Sequence, residues 1–134
     1  MVIRKKITVS GFRRFGWVIK NPGKGYKGKK KSFFCVILKE PRKSGWRIAY
    51  LLLRDKKIEK FEQHPDSFES FEPLSGKTLI YLSNTKDQNK VECFYLDVPV
   101  ILKKGVWHAV VTLGSHSEIK ITENASVKSV YWYP

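Results

Sequence analysis

The chain has 134 residues, of which 42% are hydrophobic and 13% aromatic, enough to bury the core of one domain spanning residues 1–134. Its longest apolar runs, residues 33–38 and 48–53, fall far short of the roughly 20 residues a bilayer-spanning helix needs, so the sequence excludes a membrane helix. The formal charge is +14, and its excess is N-terminal: residues 1–45 hold 14 basic side chains and one acid, Glu40. No apolar stretch follows the basic N-terminus, which predicts a cytoplasmic protein without a secretory leader. Cys35 and Cys93 lie in separate apolar runs and read as buried thiols. The lysine-rich composition, poor in Asn and Gln, leans toward a thermophilic source.

In chain order, short Val-, Ile- and aromatic-rich runs predict strands over residues 2–9, 17–20, 32–38, 46–53, 58–63 and 67–72. Further runs follow over residues 77–82, 91–96, 98–102, 107–113, 118–122 and 126–132. Gly, Pro, Asn, Asp and Lys clusters separate them, so about nine or ten strands of an antiparallel all-β barrel or sandwich are expected. One helical turn is expected over residues 10–15, with Ser10 as N-cap and Phe12 and Phe15 on one side. No segment offers the long helix of a βαβ crossover.

The biased segment 21–31 brushes the phosphate-loop pattern through Gly23, Gly28 and Lys29. Lys30 stands where that motif needs a hydroxyl, and a strand follows where it needs a helix. The segment therefore reads as a glycine-rich loop solvated by lysines, or as a patch for an anionic polymer.

Two stretches carry candidate chemistry. In the first, residues 62–76, strand parity places Glu69, Phe71 and Pro73 on one face and Phe68, Ser70 and Glu72 on the other. One carboxylate faces the core, and a buried Glu69 needs His64, His108, an arginine or a metal as its partner. In the second, residues 98–109, a glycine turn at Gly105 leads into Trp107-His108. His116, in a polar loop, reads as a surface histidine.

Together these stretches resemble the two motifs of the cupin superfamily. His64, Glu69 and, after six residues, Gly76 match the first motif; Gly105-Val106-Trp107-His108 matches the second. Within the superfamily the chain is similar to the ureidoglycolate lyase family, through His64-Pro65, Phe71, Pro73-Leu74-Ser75-Gly76, Val106-Trp107-His108 and the segment Phe15-Gly16-Trp17-Val18-Ile19. It departs from that family in a trimmed loop between Leu53 and Ile58, in Gln63 where arginine usually precedes the histidine, and in its basic N-terminal third.

The resemblance implies a cupin-like β-barrel with its site in the barrel mouth. It implies catalytic roles for His64, Glu69 and His108, and a metal site formed by His64, Asp66, Glu69 and His108, suited to nickel, manganese, iron or zinc. A hydrogen-bonded His and Glu pair without metal satisfies the same burial constraint. The implied reaction eliminates urea from ureidoglycolate, a small anionic organic acid. Glu69 or His108 is the base, the other of the two or His64 the acid, and Arg54 clamps the carboxylate. Trp107 is the candidate for substrate contact, although barrel packing also accounts for it. The alternatives are a cupin that binds a small acid without catalysis and a basic barrel that binds nucleic acid non-specifically. Exposed sheet edges favour a homodimer.

Overall fold

The computed structural model describes residues 2–20, 37–38, 40 and 44–134. The strand expected over residues 32–38, the glycine- and lysine-rich segment 21–31 and Cys35 lie largely or wholly outside these residues.

The described elements are β1 (Arg4–Lys6), α1 (Val9–Phe12), β2 (Gly16–Val18), β3 (Trp46–Leu53), β4 (Phe61–Gln63), β5 (Glu69–Ser75), β6 (Thr78–Ser83), a 3-10 turn (Gln88–Lys90), β7 (Glu92–Tyr95), β8 (Val100–Leu102), β9 (Trp107–Thr112), β10 (Ser117–Asn124) and β11 (Val130–Trp132). They form two sheets, ordered β1-β7-β6-β9-β4-β11 and β2-β8-β5-β10-β3. Strands β3 to β10 thus divide as β8-β5-β10-β3 and β7-β6-β9-β4, the exchange between facing sheets that defines a jelly roll, the architecture cupins share. The pairing is antiparallel except for β1, which runs parallel to β7 at a sheet edge.

Alternation along the strands builds the interior. Phe71, Ile80, Leu82, Val100, Leu102 and Ile119 are buried and fill the space between the sheets. Phe12 and Phe15 pack edge-on against Phe94 at 5.5 and 5.9 Å, so the short helical turn is held by aromatic burial rather than by its length. Its N-cap is Thr8, not Ser10: the Thr8 hydroxyl accepts from the Gly11 amide at 3.0 Å, and the helix begins at Val9. Gly16 is demanded by packing, because a Cβ there would stand 1.7 Å from the Ile101 carbonyl oxygen on β8. Gly76 and Gly105 hold positive φ angles of 82° and 77° at the turns β5–β6 and β8–β9. Among the described residues no helix is long and apolar enough to cross a membrane.

Candidate metal and acid-base site

The site is assembled from two cross-strand pairs, one on the inner face of each sheet. In one sheet Glu62 of β4 stands opposite His108 of β9. In the other Glu69 of β5 stands opposite Glu123 of β10, and Arg47 of β3 is next in the same row. His64, just beyond β4, shares Glu62's parity and is buried. The parity reading of residues 67–72 agrees with the geometry: Glu69 is 6% exposed, whereas Glu72 reaches outward to Lys120 at 3.6 Å.

Oε1 of Glu69 is the centre of the cluster. His108 Nε2 lies 3.1 Å from it and His64 Nε2 3.4 Å, while the two imidazole rings are 5.5 Å apart. His64 Nε2 is also 3.6 Å from Glu123 Oε1 and 3.8 Å from Glu62 Oε1. The opposite ring nitrogens are committed elsewhere. His64 Nδ1 lies 3.1 Å from the Lys128 carbonyl and His108 Nδ1 3.0 Å from the Val106 carbonyl. A carbonyl only accepts, so each Nδ1 carries a proton and donates it. In a neutral ring, Nε2 would then present a lone pair to a carboxylate oxygen, acceptor against acceptor. The geometry therefore requires a proton or a metal ion between each Nε2 and its carboxylate oxygen.

Glu69 and Glu123 sharpen that requirement, since like charges directly opposite on neighbouring strands repel. The Arg47 guanidinium clamps Glu123 Oε2 through Nε at 2.8 Å and a terminal nitrogen at 2.6 Å. Oε1 of Glu123 and Oε1 of Glu69 are buried without an aligned hydrogen bond. Burial opposes ionisation of Glu69, but His108 and His64 outweigh it and hold the carboxyl down at about 2. Burial likewise opposes charging of His64, yet Glu69, the Lys128 carbonyl and Glu62 raise it to about 9. His108 is raised for the same reasons, against its own burial and the repulsion of His64. Glu123 moves upward, because burial and Glu69 outweigh Arg47.

The residues fit a metal as well as they fit protons. Glu62, His64 and His108 form one group of donor atoms lying within 4.8 Å of one another, and His64, Glu69 and Glu123 form a second. Two imidazole nitrogens with carboxylate oxygens suit a divalent transition metal. The backbone bonds at both Nδ1 atoms supply the orienting contacts such ligands need.

A cavity of about 280 Å³ opens onto this centre. Leu51, Leu53, Phe71, Val110 and Ile121 form its apolar wall, Glu62, Glu69 and His108 its inner polar surface, and Asp55, Lys57, Glu59 and Lys60 are its other charged groups. His64 is not among the lining residues and stands behind the others.

Of the residues singled out from sequence, the fold brings His64, Glu69 and His108 together and leaves the other three apart. Asp66 is exposed in the turn after His64, and Glu62 occupies the position near the imidazoles that Asp66 was expected to fill. Arg54 is exposed beyond the end of β3 and is not part of the cavity lining. Trp107 precedes His108 and points to the opposite face, buried edge-on against Trp132 at 6.0 Å. His116 is exposed, as expected. Sequence reasoning missed Glu62, Glu123, Arg47, Lys57 and Lys60. Only Glu62 carried a local signal, its spacing of two from His64.

The fold and site together define a cupin-like β-barrel with a buried two-histidine, multi-carboxylate centre. No family model matches the chain, and no curated relative does. Among solved structures it is similar to the capsular polysaccharide assembling protein CapF from Staphylococcus aureus, at 16% identity and a TM-score of 0.48. That likeness covers 60% of this chain and 24% of the CapF chain.

Proposed function

We propose that the chain is a cupin-type enzyme that breaks a carbon–nitrogen bond in a small anionic organic acid, with ureidoglycolate as the substrate its sequence resemblance implies. The observation that carries this reading is the shared carboxylate oxygen: two imidazole Nε2 atoms within 3.4 Å of Glu69 Oε1, beside an apolar-walled cavity. Such a centre holds positive charge where an oxyanion develops.

Lys57 and Lys60 are the cavity's cations and take the substrate carboxylate, the part first assigned to Arg54. Glu69, held down at about 2, is a poor proton acceptor and serves as the counter-ion of the centre. Glu62 lines the cavity with its side chain one-third exposed, 3.9 Å from His108, and is the base. It takes the carbinol O–H proton, the C=O bond forms as the C–N bond breaks, and the same proton passes from Glu62 to the departing urea nitrogen. The products are glyoxylate and urea. His64, His108 and Glu69, with Glu123, would hold a metal, which when bound supplies Lewis-acid polarisation of a substrate oxygen. The apolar wall excludes water from the polar groups and strengthens each charge interaction.

The test is glyoxylate release from ureidoglycolate by the purified protein, before and after chelation. Glu62→Gln is expected to lower turnover by about 10² to 10⁴ with binding retained. His108→Ala should lower turnover, and should lower metal content with it if the native protein carries metal. Wild-type turnover in both variants would reduce the cluster to packing groups. Absence of both binding and turnover in the native protein would remove the substrate assignment.

A further inference from the structure

A second cavity, of about 500 Å³, lies at the β1 edge, separated from the β9 and β4 strands of the histidine site by β7 and β6. Its lining includes Lys5, Lys6, Arg13, Arg14 and Lys103, with Glu92 as the one acid. Glu92 is already shared, by Lys5 at 2.7 Å and by Arg14. Among the described residues, Lys6, Arg13 and Lys103 make no side-chain ion pair. Three segments supply the cations: β1, the residues after α1, and the turn between β8 and β9. Packing holds these segments in place, because Phe12 and Phe15 anchor the second and the Lys103 amide donates to the Phe15 carbonyl at 2.7 Å.

We propose that this cleft binds the phosphate backbone of a nucleic acid, without reading sequence. Two features favour a polymer over a small anion. All five cations are exposed, so no desolvated pocket concentrates them on one phosphate. They are also strung over separate segments, which suits a ligand that adds many weak contacts and releases counterions at each. The apolar lining residue, Phe94, is buried and offers no stacking surface, so base recognition has no instrument here.

The experiment measures anisotropy of fluorescent mixed-sequence duplex and single-stranded oligonucleotides of about 20 nucleotides from 50 to 200 mM salt. For the duplex, three to five neutralised phosphates predict an affinity loss of roughly 40- to 500-fold over that range. Neutralising Lys6, Arg13 and Lys103 to Gln should weaken binding at low salt at least about tenfold and flatten the logarithmic salt slope by about 3. All three are exposed and unpaired, so the variant folds, and an unchanged circular dichroism spectrum verifies it.

A control neutralises Arg54, Lys56 and Lys77, which are exposed and outside the cleft lining, and should leave the slope unchanged. Equal losses in the two variants would overturn the proposal in favour of net charge alone. An unchanged slope in the cleft variant would overturn it by placing the contacts elsewhere. Displacement of the oligonucleotide by tripolyphosphate at equal phosphate concentration would overturn it in favour of a small-anion site. Tighter, cleft-dependent binding to phosphatidylserine vesicles would overturn it in favour of a membrane surface.

Discussion

Replacing Glu69 by glutamine keeps the side-chain shape and removes the charge that two buried imidazoles face. In the metal-free protein His64 is held up at about 9, and Glu69 is the largest of the influences that raise it. Without that carboxylate, burial has the upper hand and the ring favours its neutral form. A histidine raised from 6.5 to about 9 contributes about 3 kcal/mol of stability at pH 6, about 2 to 3 at pH 7, and close to none at pH 10. The sign follows from linkage: the contribution is complete below the unfolded value of 6.5 and is lost as pH rises through about 9. These figures are upper bounds, since Glu62 and Glu123 remain near His64 in the variant. His108, also raised, adds in the same direction. Glu69 itself, held down at about 2, stays charged across this range and contributes no slope. Urea unfolding of chelator-treated wild type and Glu69→Gln at pH 6, 7.5 and 10 should therefore show a penalty that shrinks as pH rises. A penalty equal at pH 6 and pH 10 would refute the ionic account and make Glu69 a packing residue.

Three further outcomes follow from the same geometry. Metal binding at pH 7 must displace the Nε2 proton of His64 and any on His108, so calorimetry in buffers of differing ionisation heat should find more than one proton released per metal; release near zero would exclude the imidazoles as ligands. Arg47→Met removes the clamp on Glu123 Oε2 and should weaken metal affinity by about 10- to 100-fold in direct titration, and unchanged affinity would separate Glu123 from the metal set. Gly76→Ala should cost about 2 to 3 kcal/mol in urea unfolding, because its φ of 82° disfavours any side chain and the new Cβ would sit 2.6 Å from the His116 carbonyl oxygen; a neutral effect would mean the turn relaxes freely.

The strands were legible because alternation survives in the sequence: residues 46–53 form β3 as expected, and parity alone separates Glu69 from Glu72. The ends were less legible. The segment 58–63 yields only β4 (Phe61–Gln63), since residues 57–60 border the cavity instead of pairing. Ser10 yielded the capping role to Thr8 because Gly11 N lies within reach of the Thr8 hydroxyl. At the site, His64, Glu69 and His108 carry recognisable spacing; Asp66 stands where the cupin motif has its second histidine, Arg54 ends the apolar run 48–53 and Trp107 adjoins His108, and none of these three positions encodes a contact with the centre. Glu123 and Arg47 have no such signal. They reach the centre through the register of β10 against β5 and β3, a long-range property that spacing does not encode.

That register also bears on whether the cluster exists for stability. An apolar pair at Glu69 and Glu123 would continue the apolar row formed by buried Phe71 and half-buried Ile121, which stand opposite each other on the same two strands. Buried ionic groups are commonly no more stabilising than apolar residues of similar volume, and often less. Here the fold instead places two carboxylates face to face, clamps one with Arg47, and aims two imidazoles at the other. Each imidazole is oriented by a backbone carbonyl, so neither can turn its proton-bearing Nδ1 toward the carboxylate without giving up that bond. The arrangement makes protons and a metal ion compete for the same two Nε2 atoms. Acid favours the protonated, metal-free centre; alkali weakens it and frees the nitrogens for metal. Packing alone gives no reason for such an exchangeable cation site beside an open cavity, whereas the function proposed above does.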